Sequence, residues 1–279
     1  MISILSTIQQ GPAKAGQRIV IAGVEKVGKT TLACGAPRAL LIPLEAGFAS
    51  MTIPRTARLE TLEQVFQTCE EIGYYAHNGQ LPYQTIVWDS GTALEQLIHD
   101  ATLRTDPNYM KKNTKALTME AALGGYGKAY SYANELFGRF TNYCDRLAFG
   151  YGINIVITCH AFASRIVDPT SGEYDTWDLL LHSPKNNKNY GKREMMTQWA
   201  DMVAFMYEPV HVIINDKSAI SRAVTQNRGR VIGVDRTPMY VAGNRYGISG
   251  EIPIPAQGGW NYLADPIYKV SGIDLYNRD

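Results

Sequence analysis

The sequence lacks the features by which a membrane or secreted protein is recognised. Its 279 residues contain no apolar run that approaches the roughly 20 residues needed to cross a bilayer. The amino terminus, MISILSTIQQ, has neither the basic segment nor the long apolar segment of a signal peptide. We therefore expect a cytoplasmic protein with no membrane partner.

Cysteine is also scarce: the four residues Cys34, Cys69, Cys144 and Cys159 lie far apart in the sequence. Zinc sites and redox motifs use closely spaced thiols, and no C-x-x-C pair occurs. Cys159 and His160 are neighbours on a predicted strand and point to opposite faces, which makes them a poor pair of metal ligands. We expect free thiols in a reducing compartment.

An excess of charge of one sign is missing too, since 27 basic residues face 26 acidic ones and the net charge is +1. The charges are nevertheless segregated along the chain. Residues 104–128 hold five basic and two acidic residues, residues 182–193 hold four basic residues and no acid, and residues 222–245 hold five basic residues and one acid. The rest of the chain is therefore acidic. A nucleic-acid partner would bind at these basic windows.

The first half of the chain alternates strand and helix patterns. Predicted strands are residues 18–22, 39–44, 85–88 and 153–158, and predicted helices are residues 30–36, 59–72, 91–103 and 126–149. Strands separated by helices favour right-handed crossovers and a parallel sheet covered on both faces. Residues 39–44 are continuously apolar, as expected of a buried parallel strand, and residues 153–158 (INIVIT) give the clearest strand pattern in the chain.

The second half has a different character. Residues 161–193 are polar and resemble a long loop, whereas residues 197–207 return to buried apolar character. Short β-rich runs with turn signals between residues 210 and 241 predict antiparallel strands at the sheet edge. With no repeat and no linker, we expect one domain over residues 1–279, with a core of about 15–210 and a β-rich extension of about 211–279.

One motif carries specific chemistry. Residues 23–30 (GVEKVGKT) match the phosphate-binding pattern G-x-x-x-x-G-K-[ST] between an apolar strand and a helix. Its N–H groups and the helix N-terminus would cradle phosphate oxygens, with Lys29 reaching the β- and γ-phosphates and Thr30 binding Mg²⁺. The sequence therefore predicts ATP and Mg²⁺ as cofactors. The residues expected to contact the nucleotide are Gly23, Val24, Glu25, Lys26, Val27, Gly28, Lys29, Thr30 and Thr31.

Three polar residues end neighbouring predicted strands, at the sheet edge where Lys29 should lie. Asp89 is expected to bind Mg²⁺ together with Thr30, although an aspartate in this place can instead cap the following helix. Glu45 is a candidate base for the attacking water, or a solvated acid at the start of a loop. His160 either senses the γ-phosphate or has a structural role.

Together these residues resemble the RecA-like ATPases, and more narrowly the phage nucleotide-binding proteins of the RecA-like single-strand-annealing or recombinase type. The resemblance covers nearly the whole chain, and it is carried by the P-loop and by residues 44–47 (LEAG), 88–90 (WDS), His160 and 242–248 (AGNRYGI). It implies an α/β fold with a RecA-like P-loop core, a mostly parallel central sheet flanked by helices and a β-rich C-terminal extension. It also implies a DNA-stimulated ATPase in the host cytoplasm, acting in recombination, annealing or replication. The implied partners are single-stranded DNA, a single-strand-binding protein and further copies of the chain in a ring or filament.

The resemblance further implies a residue that acts across a subunit interface. Basic residues of the 242–248 region can reach a neighbour's ATP in RecA-like oligomers, so Arg245 is a candidate finger in trans, the alternative being a plain surface turn. Gly243 stands where the family has lysine, which leaves Arg245 alone to neutralise phosphate charge. Within the P-loop, Glu25 would repel phosphate unless its side chain points outward.

RecA-like proteins hold DNA on loops that project from the central sheet, and two basic segments, residues 104–128 and 182–193, are candidates for such loops. Lysine and arginine neutralise phosphates, and the interleaved Tyr109, Tyr126 and Tyr190 would stack on unpaired bases. Solvated flexible loops are the alternative. The residues expected to contact DNA are Lys111, Lys112, Lys115, Lys185, Lys188, Lys192 and Arg193.

Two other functional classes use the same phosphate cradle. A small-molecule kinase or other transferase usually carries an arginine-rich lid, and no such cluster is obvious in the sequence. A non-catalytic, nucleotide-gated assembly factor such as a helicase loader would bind ATP without a catalytic base.

Overall fold

The computed structural model of the chain describes residue 8 and residues 15–49, 51–109, 117–168, 170, 172–184, 191–213, 222–225, 229–255 and 259–276. For residues 210–213 and 222–225 only the main chain is described. Five of the predicted DNA contacts, Lys111, Lys112, Lys115, Lys185 and Lys188, lie outside the described residues.

Eleven strands and six α-helices occur in the described part of the chain. The strands are β1 (Arg18–Gly23), β2 (Ala39–Pro43), β3 (Thr85–Asp89), β4 (Asn154–Asp168), β5 (Gly172–Leu179), β6 (Met202–Tyr207), β7 (Val210–Ile213), β8 (Arg222–Thr225), β9 (Arg230–Gly233), β10 (Gly243–Asn244) and β11 (Glu251–Ile254). The helices are α1 (Lys29–Cys34), α2 (Leu62–His77), α3 (Gly91–Arg104), α4 (Lys128–Tyr151), α5 (Lys192–Trp199) and α6 (Trp260–Ser271).

The main sheet has the order β11-β9-β6-β1-β4-β3-β2. Strands β2, β3, β4, β1 and β6 run parallel, and β9 and β11 extend this sheet with antiparallel pairing. Strand β10 pairs with the start of β6, while β7 and β8 form a separate two-stranded sheet. The predicted α/β fold class, with a mostly parallel central sheet, is thereby confirmed.

Helices cover both faces of the sheet. On one face α2, α3 and α4 bury Trp88 of β3, whose ring meets Phe140 of α4 edge-on at 5.0 Å. On the other face α1 and α6 pack through Leu32, Trp260 and Leu263. Because strands of the parallel part are buried on both faces, they read as continuous apolar runs in the sequence. Among the described residues, no helix combines the length and apolar character needed to cross a membrane.

Strand β4 differs from its prediction in a way that matters for function. It follows the sheet beside β1 only as far as His160 and then continues to Asp168, paired with β5 in an antiparallel ribbon. The expected long loop over residues 161–193 is therefore corrected: it contains this ribbon and the start of α5. The ribbon escapes a hydrophobicity criterion because residues 163–168 of β4 alternate between exposed and half-buried positions.

The C-terminal extension also differs from the expectation. It contains α6, whose buried residues Trp260, Leu263, Ala264 and Ile267 follow helical spacing against α1. Strand β9, by contrast, pairs antiparallel with β6 and extends the main sheet toward its edge, as expected. The extension is thus only partly β-structure, and it packs on the core beside the P-loop helix.

Candidate functional site

The P-loop connects the end of β1 to the start of α1 at the carboxyl edge of the parallel strands. Gly23 and Gly28 have φ values of 156° and 100°, which favour glycine at both positions. A Cβ atom on Gly23 would lie 2.2 Å from the carbonyl oxygen of Met206, so this turn also requires a close backbone approach. Glu25 and Lys26 are exposed to solvent, in agreement with an outward-pointing Glu25.

Lys29 opens helix α1 and is buried inside the loop. Its ammonium donates hydrogen bonds to the carbonyl oxygens of Gly23, at 3.0 Å, and Val24, at 2.7 Å. Burial lowers the pKa of Lys29, and the nearby carboxylate of Asp89 opposes this shift. The Lys29 ammonium is thus held at the phosphate cradle by uncharged carbonyl oxygens, which phosphate oxygens can replace as hydrogen-bond acceptors.

Asp89 and Thr30 meet where a P-loop protein binds its metal ion. The Thr30 hydroxyl donates to Asp89 Oδ1 at 3.0 Å, and the Thr158 hydroxyl donates to the same oxygen. Burial raises the pKa of Asp89, although these two hydrogen bonds oppose the shift. Ser90, and not Asp89, is the N-cap of α3, with its hydroxyl accepting from the amide of Ala93 at 3.2 Å. The helix-capping alternative for Asp89 is therefore wrong.

These oxygen atoms suit Mg²⁺, which binds few protein ligands and keeps waters and substrate phosphates in its shell. One carboxylate and one hydroxyl at the edge of the cradle satisfy that requirement. No group of three or more histidine, cysteine or acidic side chains arranged to hold a metal occurs within the described ranges. The residues present thus fit a nucleotide-bound Mg²⁺ and not a zinc-type centre.

Glu45 and His160 form a second pair at the same edge. His160 Nε2 lies 3.1 Å from Glu45 Oε1 and 3.3 Å from Oε2. Burial alone would raise the pKa of Glu45, but the contact with His160, the hydroxyl of Ser90 and the charge of Lys29 together hold it below its ordinary value. Glu45 is therefore an ionised carboxylate at neutral pH, close to the cradle.

The main chain positions both members of this pair. The amide of Leu44 donates to the carbonyl oxygen of Asp89 at 2.7 Å, which fixes the turn that presents Glu45. The amide of His160 donates to the Thr92 hydroxyl at 3.1 Å. Four neighbouring parallel strands, β1 to β4, therefore bring together the residues expected at this edge, Lys29, Thr30, Glu45, Asp89 and His160.

Arg245 lies at the opposite, amino edge of the sheet. Its guanidinium donates to Asp201 Oδ1 and to the carbonyl oxygen of Gln198, both at 2.8 Å. Asp201 directly precedes β6 and also binds Arg18, the first residue of β1. Arg245 is therefore separated from its own chain's P-loop by the length of β1, and the trans role remains a proposal.

Lys192 must be removed from the predicted DNA surface. Its side chain is 0% exposed, and its ammonium lies 3.3 Å from Glu95 Oε1 in the interior. A lysine is rarely buried unless it is paired, and this one is paired with α3 and not with solvent. The neighbouring Arg193 forms ion pairs with Asp178 at 2.7 Å and with Glu194 at 3.1 Å, so its charge is largely neutralised within the chain.

The two predicted DNA segments meet in space. The amide of His182 donates to Glu95 at 2.8 Å, and the ring of His182 stacks on Tyr130 with 3.8 Å between centroids. Tyr130 belongs to the first turn of α4, directly after the first basic segment. The amide of Arg193 donates to the carbonyl oxygen of His182 at 3.3 Å, closing the base of the second segment. Glu95, through His182 and Lys192, thus ties the second segment to the helix that follows Asp89.

Tyr126 stands out in the turn that leads into α4. Residues 123–127 all have positive φ, and two of them, Leu123 and Tyr126, are not glycine. Such residues cost about 1 kcal/mol or more each in this conformation, which points to a functional constraint. The turn is held by the amide of Leu123, which donates to Asp106 at 2.5 Å, and the Tyr126 side chain is 99% exposed.

Three functional residues were missed by sequence reasoning. Thr158 lies on the predicted strand that ends at His160. Because side chains alternate between the two faces of a strand, Thr158 and His160 share a face, and this signal was available from the sequence. Glu95 and Arg230 carry no motif, since their partners are distant in the sequence. Arg230, which falls in the third basic window, donates to the carbonyl oxygen of Val27 in the P-loop at 3.0 Å.

The comparisons with known proteins follow this geometry. A family model described as an AAA domain matches residues 15–246. Among solved structures, the chain resembles the crystal structure of the RadB recombinase, with 11% sequence identity and a TM-score of 0.46 over 88% of this chain and 90% of that chain. That likeness is distant, and no curated protein matches the sequence. Because the family model covers most of its length, the chain belongs to the AAA domain family of P-loop nucleotide-binding proteins.

Proposed function

We propose that this protein hydrolyses ATP and uses the nucleotide state to control its binding of single-stranded DNA, in recombination, annealing or replication of the phage type. The observation that supports this most strongly is the contact between Glu45 and His160. It joins an ionised carboxylate beside the P-loop to the strand that leaves the sheet as the β4–β5 ribbon.

Lys29, Thr30 and Asp89 bind the reacting phosphates in this proposal. Lys29 exchanges the carbonyl oxygens of Gly23 and Val24 for oxygens of the β- and γ-phosphates. Thr30 and Asp89 would hold Mg²⁺, which when bound neutralises phosphate charge. Positioning and charge stabilisation of this kind supply most of the catalysis in phosphoryl transfer.

Glu45 is the base of the hydrolytic step. A water oxygen attacks the γ-phosphorus, the bond from that phosphorus to the β–γ bridging oxygen breaks, and the proton of the water passes to a Glu45 carboxylate oxygen. The low pKa of Glu45 keeps the carboxylate ready to accept a hydrogen bond from this water. His160 orients Glu45 from the side of β4.

The same contact relays the nucleotide state. When the γ-phosphate and the attacking water engage Glu45, His160 loses part of its hydrogen bonding and β4 is free to shift beyond the sheet edge. Helix α3 offers a parallel route, because it follows Asp89 directly and its Glu95 holds His182 and Lys192 at the base of the second basic segment.

Single-stranded DNA would bind across the two joined segments. Lys111, Lys112, Lys115, Lys185 and Lys188 are proposed phosphate contacts from their sequence alone. Tyr126 would stack on an unpaired base, since its ring is fully exposed on a turn held by backbone hydrogen bonds.

Assembly of several copies completes the proposal. Arg245, at the amino edge, would reach the ATP of a neighbouring copy in a ring or filament, where Asp201 would release it to the phosphates. A single-strand-binding protein is the further partner expected from the family resemblance.

The experiment that tests the proposed chemistry compares ATP turnover in Glu45→Gln with turnover in Glu71→Gln, a matched change at an exposed position of α2. We expect Glu45→Gln to lower kcat about a hundredfold or more while ATP still binds, and Glu71→Gln to behave as wild type. Lys29→Ala should remove both binding and turnover.

Other outcomes would favour the other classes. Unchanged turnover in Glu45→Gln would remove this residue as the base, and absent turnover in the wild type would favour a nucleotide-gated assembly factor. Turnover that requires an added small acceptor molecule would indicate a kinase or other transferase.

A further inference from the structure

We infer that Arg230 is a positioning residue of the nucleotide site, which holds the P-loop in its phosphate-binding conformation from outside. The inference deepens the proposed function and rests on it in one respect, namely that nucleotide binds at the P-loop. It makes strands β9 and β11 of the C-terminal extension part of the nucleotide-binding machinery.

The sheet register places Arg230 at the carboxyl edge. Strand β9 is antiparallel to β6, with Val231 opposite Tyr207, the last residue of β6. Arg230 therefore lies one residue beyond this ladder, on the side of the P-loop. On its other side it pairs with Ile254 of β11.

The guanidinium of Arg230 joins two main-chain oxygens. Nη1 donates to the carbonyl oxygen of Val27 at 3.0 Å, and Nη2 donates to the carbonyl oxygen of Pro255 at 2.5 Å. Pro255 directly follows β11. A single planar group thus fastens the P-loop to the end of an outer strand, and a planar fork is the geometry that arginine supplies and lysine does not.

Gly28 shows how closely this contact is built. A Cβ atom on Gly28 would lie 1.8 Å from Arg230 Nη1, which is far too close for two non-bonded atoms, so the guanidinium would have to leave its place. The absence of a side chain at Gly28 therefore serves two needs, the backbone conformation at φ 100° and the space for the guanidinium.

The consequence for phosphate binding follows from peptide geometry. The carbonyl of Val27 and the N–H of Gly28 belong to one planar trans peptide and point in opposite directions. A donor that holds the Val27 oxygen on the outside therefore turns the Gly28 N–H inward, to where phosphate binds. Because glycine permits many backbone conformations, this peptide would otherwise sample orientations that do not bind phosphate. Arg230 thus preorganises the cradle without touching the nucleotide.

The test measures ADP binding in the presence of Mg²⁺ by titration calorimetry, and steady-state ATP turnover, for Arg230→Ala, Arg230→Lys and the matched control Arg236→Ala. Arg236 is exposed on the same segment, after β9. We expect the Kd for ADP and the KM for ATP to rise about tenfold in Arg230→Ala, since a charge-assisted hydrogen bond to the cradle is lost. The kcat should stay within about twofold of wild type, because binding and not the chemical step is affected.

Arg230→Lys should remain weakened, since lysine keeps the charge and the aliphatic stem but lacks the planar fork whose two nitrogens each reach one carbonyl oxygen. If Arg230→Ala does not fold, the Kd and KM of Arg230→Lys test the inference instead. A folded variant with unchanged Kd for ADP, or one that only unfolds at a lower temperature without nucleotide, would overturn the inference. A kcat that falls with unchanged KM would do so as well. Failure of the wild type to bind ADP would instead remove the proposed nucleotide site itself, and this inference with it.

Discussion

The two edges of the central sheet both carry charged side chains, but these have different partners. At the amino edge, Asp201 accepts hydrogen bonds from Arg18 at 2.7 Å and from Arg245 at 2.8 Å, and Arg18 also binds Asp145 at 3.0 Å. Every charge in this group faces an opposite charge. Burial alone would raise the pKa of Asp201, but the hydrogen bonds and charge of Arg18 hold it below its ordinary value.

At the carboxyl edge, the hydrogen-bond partners that the described residues give to Lys29 and Asp89 are uncharged. Lys29 lies on carbonyl oxygens, and Asp89 is contacted by two hydroxyl groups. Burial lowers the pKa of Lys29 and raises that of Asp89, so in the folded protein both charged forms are disfavoured. The ion pairs of Arg18 at the amino edge therefore stabilise the fold. The charges of Lys29 and Asp89 at the carboxyl edge lower its stability and remain available for a ligand.

The comparison between Asp201 and Asp89 gives the largest expected effect on stability. Asp201→Asn should lower the free energy of unfolding by about 3 kcal/mol, because it removes the closer and more buried of the two carboxylates that pair with Arg18. Asp89→Asn should leave that free energy unchanged or raise it by less than about 1 kcal/mol, since it removes a disfavoured charge and keeps an oxygen acceptor. Denaturant unfolding at neutral pH without nucleotide measures both changes.

The pH dependence sharpens the same comparison. The pKa of Asp201 is depressed in the folded state, so its stabilisation is complete above the ordinary aspartate value of 3.8 and is lost as the pH falls through the lower folded value. Asp201→Asn should therefore approach wild-type stability in acid. An Asp89→Asn variant that is destabilised as strongly as Asp201→Asn would contradict the distinction between the edges.

A smaller effect is expected for two exposed tyrosines. Tyr126 lies in the turn that leads into α4, four residues before the Tyr130 that stacks on His182, whereas Tyr74 lies near the end of α2. Tyr126→Ala should weaken binding of an oligothymidine strand about tenfold, because one stacked base is lost, and Tyr126→Phe should keep the affinity. The salt dependence should not change, since no phosphate contact is removed.

Tyr74→Ala serves as the matched control and should bind the oligonucleotide as the wild type does. Equal binding by the Tyr126→Ala and wild-type proteins, measured by fluorescence anisotropy, would show that the exposed turn is not part of the DNA surface.

The nucleotide site was accessible to sequence reasoning because its parts are local. The P-loop is a contiguous motif, and Glu45, Asp89 and His160 each follow directly on, or end, a strongly apolar strand. The rule that parallel strands end at a common edge is then sufficient to bring them together. For the same reason the order of helices and strands over residues 15–160 was predicted well, with boundaries shifted by a few residues.

The rest depends on contacts between distant residues. The bond from Arg230 to Val27 spans 203 positions, and the one from His182 to Glu95 spans 87. Lys192 was predicted to contact DNA because it is a basic residue in a polar segment. The sequence of that segment does not show that the side chain is buried and paired with Glu95. The ribbon of β4 and β5 was missed because its β4 half alternates between exposed and half-buried residues and so carries little hydrophobic pattern.

The central claim, that ATP hydrolysis at the P-loop is coupled to single-stranded DNA, is tested most directly by one measurement. ATP turnover of the wild-type protein is followed with and without single-stranded DNA, and the size of the oligomer is measured by light scattering in the same samples. The account predicts turnover without any acceptor substrate, a higher rate with DNA, and an assembly of several copies. An identical rate with and without DNA, under conditions where the DNA is bound, would contradict it.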